Sequence, residues 1–296
     1  MSHDTIISVK DLSREFGDKR ALGAVNLEIP RGSVVGLLGP NGCGKTTLIK
    51  HLIGLLVPSH GEVRVFGTPA AELGPDQIAR IGYVSQDADL LTWLNVGETV
   101  DLARAHQPHW DDALAARLLG EFGLERHANV GKLSGGQKQR LSIVLGVAHR
   151  PELLLLDEPA AALDPVVRQE FLDLLMDLIQ DGERTIVISS HILTDVEKVI
   201  DRVLILDRGH VHCFQPLDDL REEYYRVSLR ALSGEMPAEL GLSGLKHLAR
   251  ERSSAVATVH NPDRAVLERE LATLACTAEV RHLEFEEIYR LVVTGK

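Results

Sequence analysis

The pattern of apolar and polar positions predicts alternating strands and helices over most of the chain. Residues 6–10 and 24–29 alternate between apolar and polar side chains on either side of a turn-rich segment, which indicates an antiparallel hairpin region. A continuous apolar run follows, as expected of a buried strand, and after it a glycine-rich loop and a stretch with helical spacing. The predicted strand, loop and helix lie at residues 33–38, 39–44 and 46–55.

The middle of the chain combines a helical region with further strands. Apolar spacing over residues 89–130 is mostly helical, and we expect a helical subdomain at about residues 89–150. Beyond it, short apolar runs alternate with stretches of helical spacing, which is typical of a parallel sheet covered by helices. The predicted strands lie at residues 153–156, 185–189 and 203–207, and the predicted helices at 166–179 and 193–200.

A charged stretch that begins at Arg221 opens a second unit. We interpret residues 221–296 as a small α/β accessory domain attached to a main domain of residues 1–220. Both a regulatory role and a dimer-stabilising role are open for it. Its predicted strands lie near residues 227–231 and 255–259, and its predicted helices at 264–275 and 285–293.

Composition agrees with a main domain plus an appendage, because 296 residues exceed most single compact domains. The chain is 44% hydrophobic and 25% charged, which is ordinary globular usage. Its formal net charge of −11 predicts no general affinity for nucleic acid or anionic lipid. Three widely spaced cysteines suit reduced thiols and indicate neither a disulfide framework nor a zinc site.

The chain contains no apolar run near the roughly 18 residues that a membrane-spanning helix needs. The N-terminal residues also lack the basic and apolar regions of a secretory signal. We therefore expect a cytosolic protein.

Residues 39–46, Gly-Pro-Asn-Gly-Cys-Gly-Lys-Thr, match the phosphate-loop pattern in its required place between a strand and a helix. Glycines let backbone N–H groups face the phosphates, Lys45 reaches the β and γ phosphates, and Thr46 ligates Mg²⁺. Cys43 is either a reactive thiol with a pKa lowered by helix N–H groups or simply a small residue that fits. The predicted phosphate-binding residues are Gly39, Pro40, Asn41, Gly42, Cys43, Gly44, Lys45, Thr46 and Thr47.

Two carboxylates follow the four-leucine run at residues 153–156. Asp157 and Glu158 are thereby placed at the carboxyl edge of the sheet, where open α/β folds bind ligands. Asp157 is suited to holding Mg²⁺ through water, and Glu158 to orienting or deprotonating the water that attacks the γ-phosphate.

The segment of residues 133–137, Leu-Ser-Gly-Gly-Gln, resembles the signature loop of ATP-binding cassette (ABC) ATPases. The resemblance covers about residues 5–215. It implies a P-loop NTPase fold with a mixed sheet, an antiparallel β subdomain and an α-helical signature subdomain. It also implies a head-to-tail homodimer in which the signature loop of one copy closes the ATP site of the other. The signature residues are Ser134, Gly135, Gly136 and Gln137.

The signature segment also has a physical interpretation. Ser134 and the two glycines precede a stretch of helical apolar spacing, so a capped helix N-terminus that can bind phosphate is predicted there. This helix start cannot reach a phosphate already held by its own chain's loop. A second copy related by a two-fold axis is therefore expected to supply it.

Four further positions take their roles from the resemblance. Gln86 is similar to the glutamine that ligates Mg²⁺ and senses the transport subunit, and His191 to the switch histidine that contacts the γ-phosphate. Asp164 resembles the acid that couples the two sites, although Ala161 stands where a serine is common, which weakens one hydrogen bond across the interface. Phe16 either stacks on adenine, in place of the family's usual tyrosine, or belongs to the hairpin core.

The expected partner is a separate transmembrane permease. The short stretch between Gln86 and Leu133 cannot form the long arm of chromosome-maintenance ATPases, and an acidic single cassette does not suit the ribosome. A soluble ATPase acting on such a non-membrane partner remains the alternative. The segment of residues 90–94 could receive a permease helix, or Trp93 could pack in the core. The single cassette with a C-terminal appendage resembles exporter-type bacterial subunits attached to the inner face of the membrane.

Overall fold

The computed structural model describes residues 5–180, 182–237 and 239–294. These residues form two compact units, divided between Phe214 and Gln215. The boundary expected from the sequence, after residue 220, falls within helix Leu217–Glu222 of the second unit.

The first unit is built from two sheets and the helices between their strands. Its strands are β1 (Thr5–Phe16), β2 (Lys19–Pro30), β3 (Val34–Leu38), β4 (His60–Val65), β5 (Thr68–Pro69), β6 (Ile81–Val84), β7 (Leu153–Asp157), β8 (Thr185–Ser190), β9 (Arg202–Asp207) and β10 (His210–Pro216), the last of which crosses the division. Its α-helices are α1 (Lys45–Leu52), α2 (Pro75–Ile78), α3 (Val96–His106), α4 (Asp112–Glu121), α5 (Gly135–Val147), α6 (Pro165–Ile179) and α7 (Leu193–Val196).

The smaller sheet has the order β2-β1-β4-β5 and is antiparallel, as the hairpin prediction required. Its first two strands are much longer than predicted. Register shifts interrupt their pairing, and Asp11 and Ala24 have left-handed φ angles of 48°. Such irregularities break the two-residue alternation along a strand, so the sequence pattern identified only its regular parts.

The larger sheet has the order β10-β9-β3-β8-β7-β6, and the five strands from β9 to β6 are parallel. All residues of β3 and β7 are buried, because helices cover both faces of such a sheet. In the pairing of β7 with β8, Asp157 lies opposite Ser189. The predicted parallel sheet is confirmed, and its carboxyl edge carries the two acids.

The helices depart from prediction at their ends. Helix α1 ends at Leu52 and not at residue 55, because Gly54 adopts φ 74° and the N–H groups of Leu55 and Leu56 turn back to Lys50 O. Helix α7 is a single turn that ends at Val196, well before residue 200. In the predicted helical region, α3 and α4 both pack against α5.

The second unit contains a four-stranded antiparallel sheet in the order β12-β13-β11-β14. Both edge strands were missed from the sequence, because most of their residues are exposed and show no clear alternation of apolar and polar side chains. The elements of this unit are α8 (Leu217–Glu222), β11 (Tyr224–Ala231), β12 (Leu245–Arg250), β13 (Ser254–His260), α9 (Arg264–Thr273), β14 (Cys276–His282) and α10 (Phe285–Thr294).

Among the residues that the structure describes, no helix combines the length and the apolar character that crossing a membrane requires.

Candidate functional site

The loop of residues 39–44 connects the carboxyl end of β3 to the first turn of α1. Gly44 has φ 113°, a conformation that side chains rarely adopt, and a Cβ there would lie 2.7 Å from Ala21 O. At Gly39 a Cβ would lie 2.1 Å from Leu206 O. Glycine is therefore required at both ends of the loop. Because Gly44 has no side chain to cap α1, the first N–H groups of the helix stay available to an anion.

A cavity of about 510 Å³ lies against this loop. The end of β1 and the segments that follow β6, β7 and β8 also contribute to the wall, so distant parts of the chain meet there. The predicted site residues in its wall are Phe16, Asn41, Gly42, Gly44, Lys45, Thr46, Thr47, Gln86, Glu158 and His191.

Lys45 places its ammonium group between the loop and Glu158. Its Nζ donates a hydrogen bond to Gly39 O at 2.8 Å and lies 3.5 Å from Glu158 Oε1. The side chain is only 6% exposed, and a cation buried to this degree requires negative partners. The carbonyl and the carboxylate provide them, and phosphate oxygens in the cavity would compete for the same ammonium group.

Asp157 and Glu158 are both buried at the carboxyl end of β7. Oδ2 of Asp157 is buried and has no hydrogen-bond partner among the described residues. Leaving such an oxygen unsatisfied costs about 1–3 kcal/mol or more for a charged group, so it is suited to a ligand. A carboxylate oxygen beside a phosphate loop fits the oxygen ligands and bound waters that Mg²⁺ prefers.

Glu158 is fixed on several sides. Its φ of 49° is left-handed, and its Oε2 lies 2.7 Å from Nδ1 of His191. An ionised carboxylate can only accept a hydrogen bond, so Nδ1 carries the hydrogen. The structure therefore brings the two predicted catalytic groups into direct contact.

Sequence reasoning did not identify Ser189, which contacts both acids. Its hydroxyl donates to Asp157 Oδ1 at 2.8 Å and accepts from the N–H of Glu158 at 2.8 Å. The only sequence signal was a polar residue at the end of an apolar strand, and its significance depends on the pairing of β7 with β8.

A second cavity, of about 520 Å³, lies beside the first. Its wall contains Thr46, Gln86 and Asp157, the three residues predicted to act on Mg²⁺. Thr46 and Gln86 line both cavities, so these residues lie at the boundary between the two.

The wall of the second cavity also contains apolar side chains. Leu55 and Leu90 line it, and Leu55 is 64% exposed. Trp93 is 72% exposed, which makes the interpretation of Trp93 as a core residue wrong. His149 also lines the cavity, and burial lowers its pKa, so its imidazole is neutral near pH 7.

The signature segment begins helix α5 as predicted. Gln137 N–H donates to Ser134 Oγ at 3.2 Å, and Ser134 N–H donates to Gln137 Oε1 at 3.0 Å, which is a capping box. Ser134, Gly135, Gly136 and Gln137 are absent from the wall of the phosphate-loop cavity in the described part of the chain. The structure therefore does not bring these residues to their own chain's phosphate loop.

Asp164 caps helix α6 by accepting from the N–H groups of Val166 and Val167 at 3.1 and 3.2 Å. These bonds, that to Val167 foremost, together with the charge of Arg140, hold the pKa of Asp164 below its usual value. Arg140, which lies on α5 and was not identified from the sequence, donates to Asp164 Oδ2 at 2.9 Å. The contact connects the signature helix to the predicted coupling acid, while Ala161 lines the phosphate-loop cavity.

Phe16 lies in the cavity wall and is 47% exposed, so it does not belong to the hairpin core. The Cζ atom of Arg14 lies 4.7 Å from the centre of its ring. Arg14 also donates to Val57 O at 2.9 Å, which fixes the guanidinium group. Such a contact is a cation–π interaction, and it orients the ring that stacking on adenine would use.

Cys43 is buried within the phosphate loop, and burial raises the pKa of its thiol despite the opposing charge of Lys45. The interpretation of Cys43 as a reactive thiolate is therefore wrong. Its small side chain simply fits the loop.

These elements define a phosphate-loop nucleotide-binding fold with an acidic edge and a separate capped signature helix. The family model described as "ABC transporter" matches residues 22–161. The aliphatic sulfonates import ATP-binding protein SsuB of Escherichia coli K12 is 38% identical over 213 residues, 71% of this chain and 81% of that protein. The bacitracin transport ATP-binding protein BcrA of Bacillus licheniformis is 35% identical over 221 residues, 74% of this chain and 72% of that protein.

Solved structures of similar proteins support the same family. An ATP-binding subunit of an ABC transporter superposes with a TM-score of 0.67 at 32% identity, covering 74% of this chain and 92% of the other. A dimeric ATP-binding cassette in a post-hydrolysis state, bound to ADP and Pi, has a TM-score of 0.63 at 28% identity and covers 72% of this chain and 99% of the other. The chain therefore belongs to the ATP-binding subunits of ABC transporters and is an ATPase of that family. The resemblance and fold class inferred from the sequence are confirmed.

Proposed function

We propose that two copies of this chain bind ATP and Mg²⁺ between them, head to tail, and that hydrolysis drives a separate membrane permease that exports its substrate. The observation that supports a dimer is that the phosphate loop and the signature segment are separate within one chain. Lys45 and Glu158 line the phosphate-loop cavity. Among the described residues, the signature residues Ser134 and Gly136 do not line it. A second copy supplies the missing half, as the dimeric relative supports.

The hydrolytic chemistry rests on the position of Glu158. Its buried carboxylate lies beside Lys45, which binds the phosphates, and next to His191, which orients it. This arrangement suits a base that takes a proton from the attacking water at the edge of the cavity. Thr46, Gln86 and Asp157 would hold Mg²⁺, which when bound neutralises charge on the phosphate oxygens.

The second cavity and the exposed Trp93 provide the permease surface in this proposal. Leu55 and Leu90 in the cavity wall, and the exposed Trp93 that follows Leu90 along the chain, offer apolar contacts that suit the apolar face of a helix. Gln86 lines this cavity as well as the nucleotide cavity, so movement of a bound helix can be transmitted to the site. Through this contact the chain would be held at the inner face of the membrane.

Export is the proposed direction. Names of relatives include an import protein, so family membership alone does not assign it. Support comes from the compact unit Gln215–Lys296 that follows the cassette, an arrangement that resembles exporter-type bacterial subunits. Transport assays in inside-out vesicles that contain the permease test the direction, with bacitracin as the first compound. ATP-dependent accumulation supports export, and ATP-dependent loss of preloaded compound indicates import.

The variant Glu158→Gln tests the hydrolytic proposal. Removing the base should slow hydrolysis roughly 10²–10⁴-fold, while the phosphate contacts of Lys45 remain. The variant should accumulate as a dimer with ATP and Mg²⁺ in light scattering, and ADP should leave it monomeric. Normal hydrolysis by this variant would show that Glu158 is not the base.

A further inference from the structure

Ser189 is fully buried at the carboxyl end of β8, directly opposite Asp157 on β7. Its hydroxyl has one hydrogen, which is donated to Asp157 Oδ1 at 2.8 Å. An oxygen lone pair accepts the N–H of Glu158, also at 2.8 Å. One hydroxyl group therefore joins the side chain of the first acid to the backbone of the second.

The bond to Asp157 determines which carboxylate oxygen is available to a ligand. Oδ1 is occupied by Ser189, whereas Oδ2 is buried and without a partner in the described part of the chain. Without the hydroxyl, both oxygens would be unsatisfied and the carboxylate would be free to rotate about its χ2 angle. Ser189 thus orients the one free oxygen that suits bound Mg²⁺ or its water.

The bond to Glu158 holds an unfavourable backbone conformation. Glu158 has φ 49°, a left-handed angle that non-glycine residues rarely adopt and that persists only where the surroundings hold it. The Ser189 hydroxyl accepts the N–H of this residue and so supports the conformation. In that conformation the Glu158 side chain reaches both Lys45 and His191.

We propose that Ser189 is a positioning residue for ATP hydrolysis, which orients the Asp157 carboxylate for Mg²⁺ and the Glu158 carboxylate for the attacking water. This inference rests on the proposed function, because it assigns a further residue to the same site. Ser189 itself lies outside the cavity wall in the described structure, and its hydroxyl forms hydrogen bonds with the two acids.

The test compares Ser189→Ala with Ser33→Ala in the full chain. Ser33 is also buried, its hydroxyl donates to Pro30 O at 2.7 Å, and its carbonyl accepts the N–H of Ile186 at the other end of β8. Both variants lose one buried hydroxyl beside the same sheet, Ser33→Ala with one hydrogen bond and Ser189→Ala with two. Thermal unfolding measures this shared structural effect, and any difference in kcat or Mg²⁺ response is specific to Ser189.

Ser189→Ala should lower kcat roughly 10–100-fold, as loss of an outer-shell partner does, and leave KM for ATP within about twofold of that of Ser33→Ala. A second readout does not depend on turnover. With the non-hydrolysable analogue AMP-PNP, the Mg²⁺ concentration that half-maximally supports nucleotide binding should rise roughly tenfold or more. Binding measured in EDTA should stay unchanged.

Two further variants distinguish the effect of losing the hydroxyl group from the effect of changing the side-chain volume. Ser189→Thr keeps a hydroxyl and should recover most of the lost kcat, whereas Ser189→Cys has nearly the original shape but a weak hydrogen-bonding group and should resemble Ser189→Ala. If either Ser189→Ala or Ser189→Thr fails to fold, Ser189→Cys is compared with Ser33→Ala instead. A kcat and a Mg²⁺ response equal to those of Ser33→Ala would overturn the inference. If Glu158→Gln is inactive in the same assays, the proposed function stands even then.

Discussion

Nδ1 of His191 lies 2.7 Å from Oε2 of Glu158. His191, which follows strand β8, therefore holds the side chain of Glu158, which follows strand β7. The imidazole is half-exposed at the cavity wall, whereas the carboxylate is buried. The histidine therefore connects the acid with the open space that a nucleotide would fill.

The first prediction concerns this pair. Replacing His191 with Ala removes a hydrogen-bond donor from Glu158 and a polar group from the cavity, and kcat should fall roughly 10²-fold or more. ATP binding should change little, because Lys45 and the phosphate loop remain. Steady-state ATPase assays measure the change. His212→Ala is the control, since His212 lies 3.8 Å from Asp207 and does not line the cavity. Equal kcat values for the two variants would refute a role for His191.

The second prediction concerns the ring of Phe16. Aromatic stacking on a base is worth about 1–3 kcal/mol, so Phe16→Leu should raise KM for ATP roughly 5–150-fold with little change in kcat. Leucine keeps an apolar side chain and removes only the ring, while Phe16→Tyr restores a ring and should restore KM. An unchanged KM in Phe16→Leu would mean that Phe16 does not stack on the base.

The third prediction concerns the exposed Trp93. Because its side chain is 72% exposed, Trp93→Ala should leave the free energy of unfolding within about 0.5 kcal/mol and KM for ATP unchanged. The fraction of the protein that sediments with membranes of its own cells should fall several-fold. Met176→Ala is the matched control, since Met176 is an exposed apolar residue of helix α6. Equal sedimentation of the two variants would argue against Trp93 in the permease surface.

The fourth prediction concerns pH. His51 is fully buried, its Nδ1 lies 2.7 Å from Thr47 O, and burial is the main cause that lowers its pKa from 6.5. Below pH 6.5 the unfolded chain therefore binds a proton that the folded protein does not. The associated stability is present above that pH and is lost as the pH falls.

Urea unfolding between pH 7 and pH 5 tests this effect. His51→Leu should show a shallower loss of stability with falling pH than the native chain. Some slope should remain, because burial lowers the pKa of His149 as well. The exposed His127 offers the control variant His127→Gln, which should keep the native slope. A slope that does not change in His51→Leu would rule out His51 as the origin.

Much of the fold and of the site could be predicted from the sequence because the key segments are local. Residues 33–46 specify a strand, a tight turn and a helix start within one short stretch, and the four leucines before Asp157 specify a buried strand. Local backbone preferences determine such features, so a single sequence reveals them.

Other features arise only from pairing between distant segments. Ser189 acquires its partners through the register of β7 against β8, and Arg140 in the middle of helix α5 meets Asp164 at the start of helix α6. Strand β14 lies at a sheet edge with mostly exposed residues, so no alternation of apolar and polar side chains marked it. The exposure of Trp93 likewise depends on how the whole chain packs, and the residues next to it in sequence do not determine it.

Mixing two inactive variants tests most directly whether each nucleotide site is shared between two copies. Lys45→Ala disables the phosphate loop, and Ser134→Arg disables the signature loop, so each variant alone should be nearly inactive. A mixed dimer contains one site with both halves intact, and the mixture should recover roughly a quarter of the native ATPase rate if the sites act independently. A mixture that hydrolyses ATP no faster than the average of the two variants would contradict the shared site.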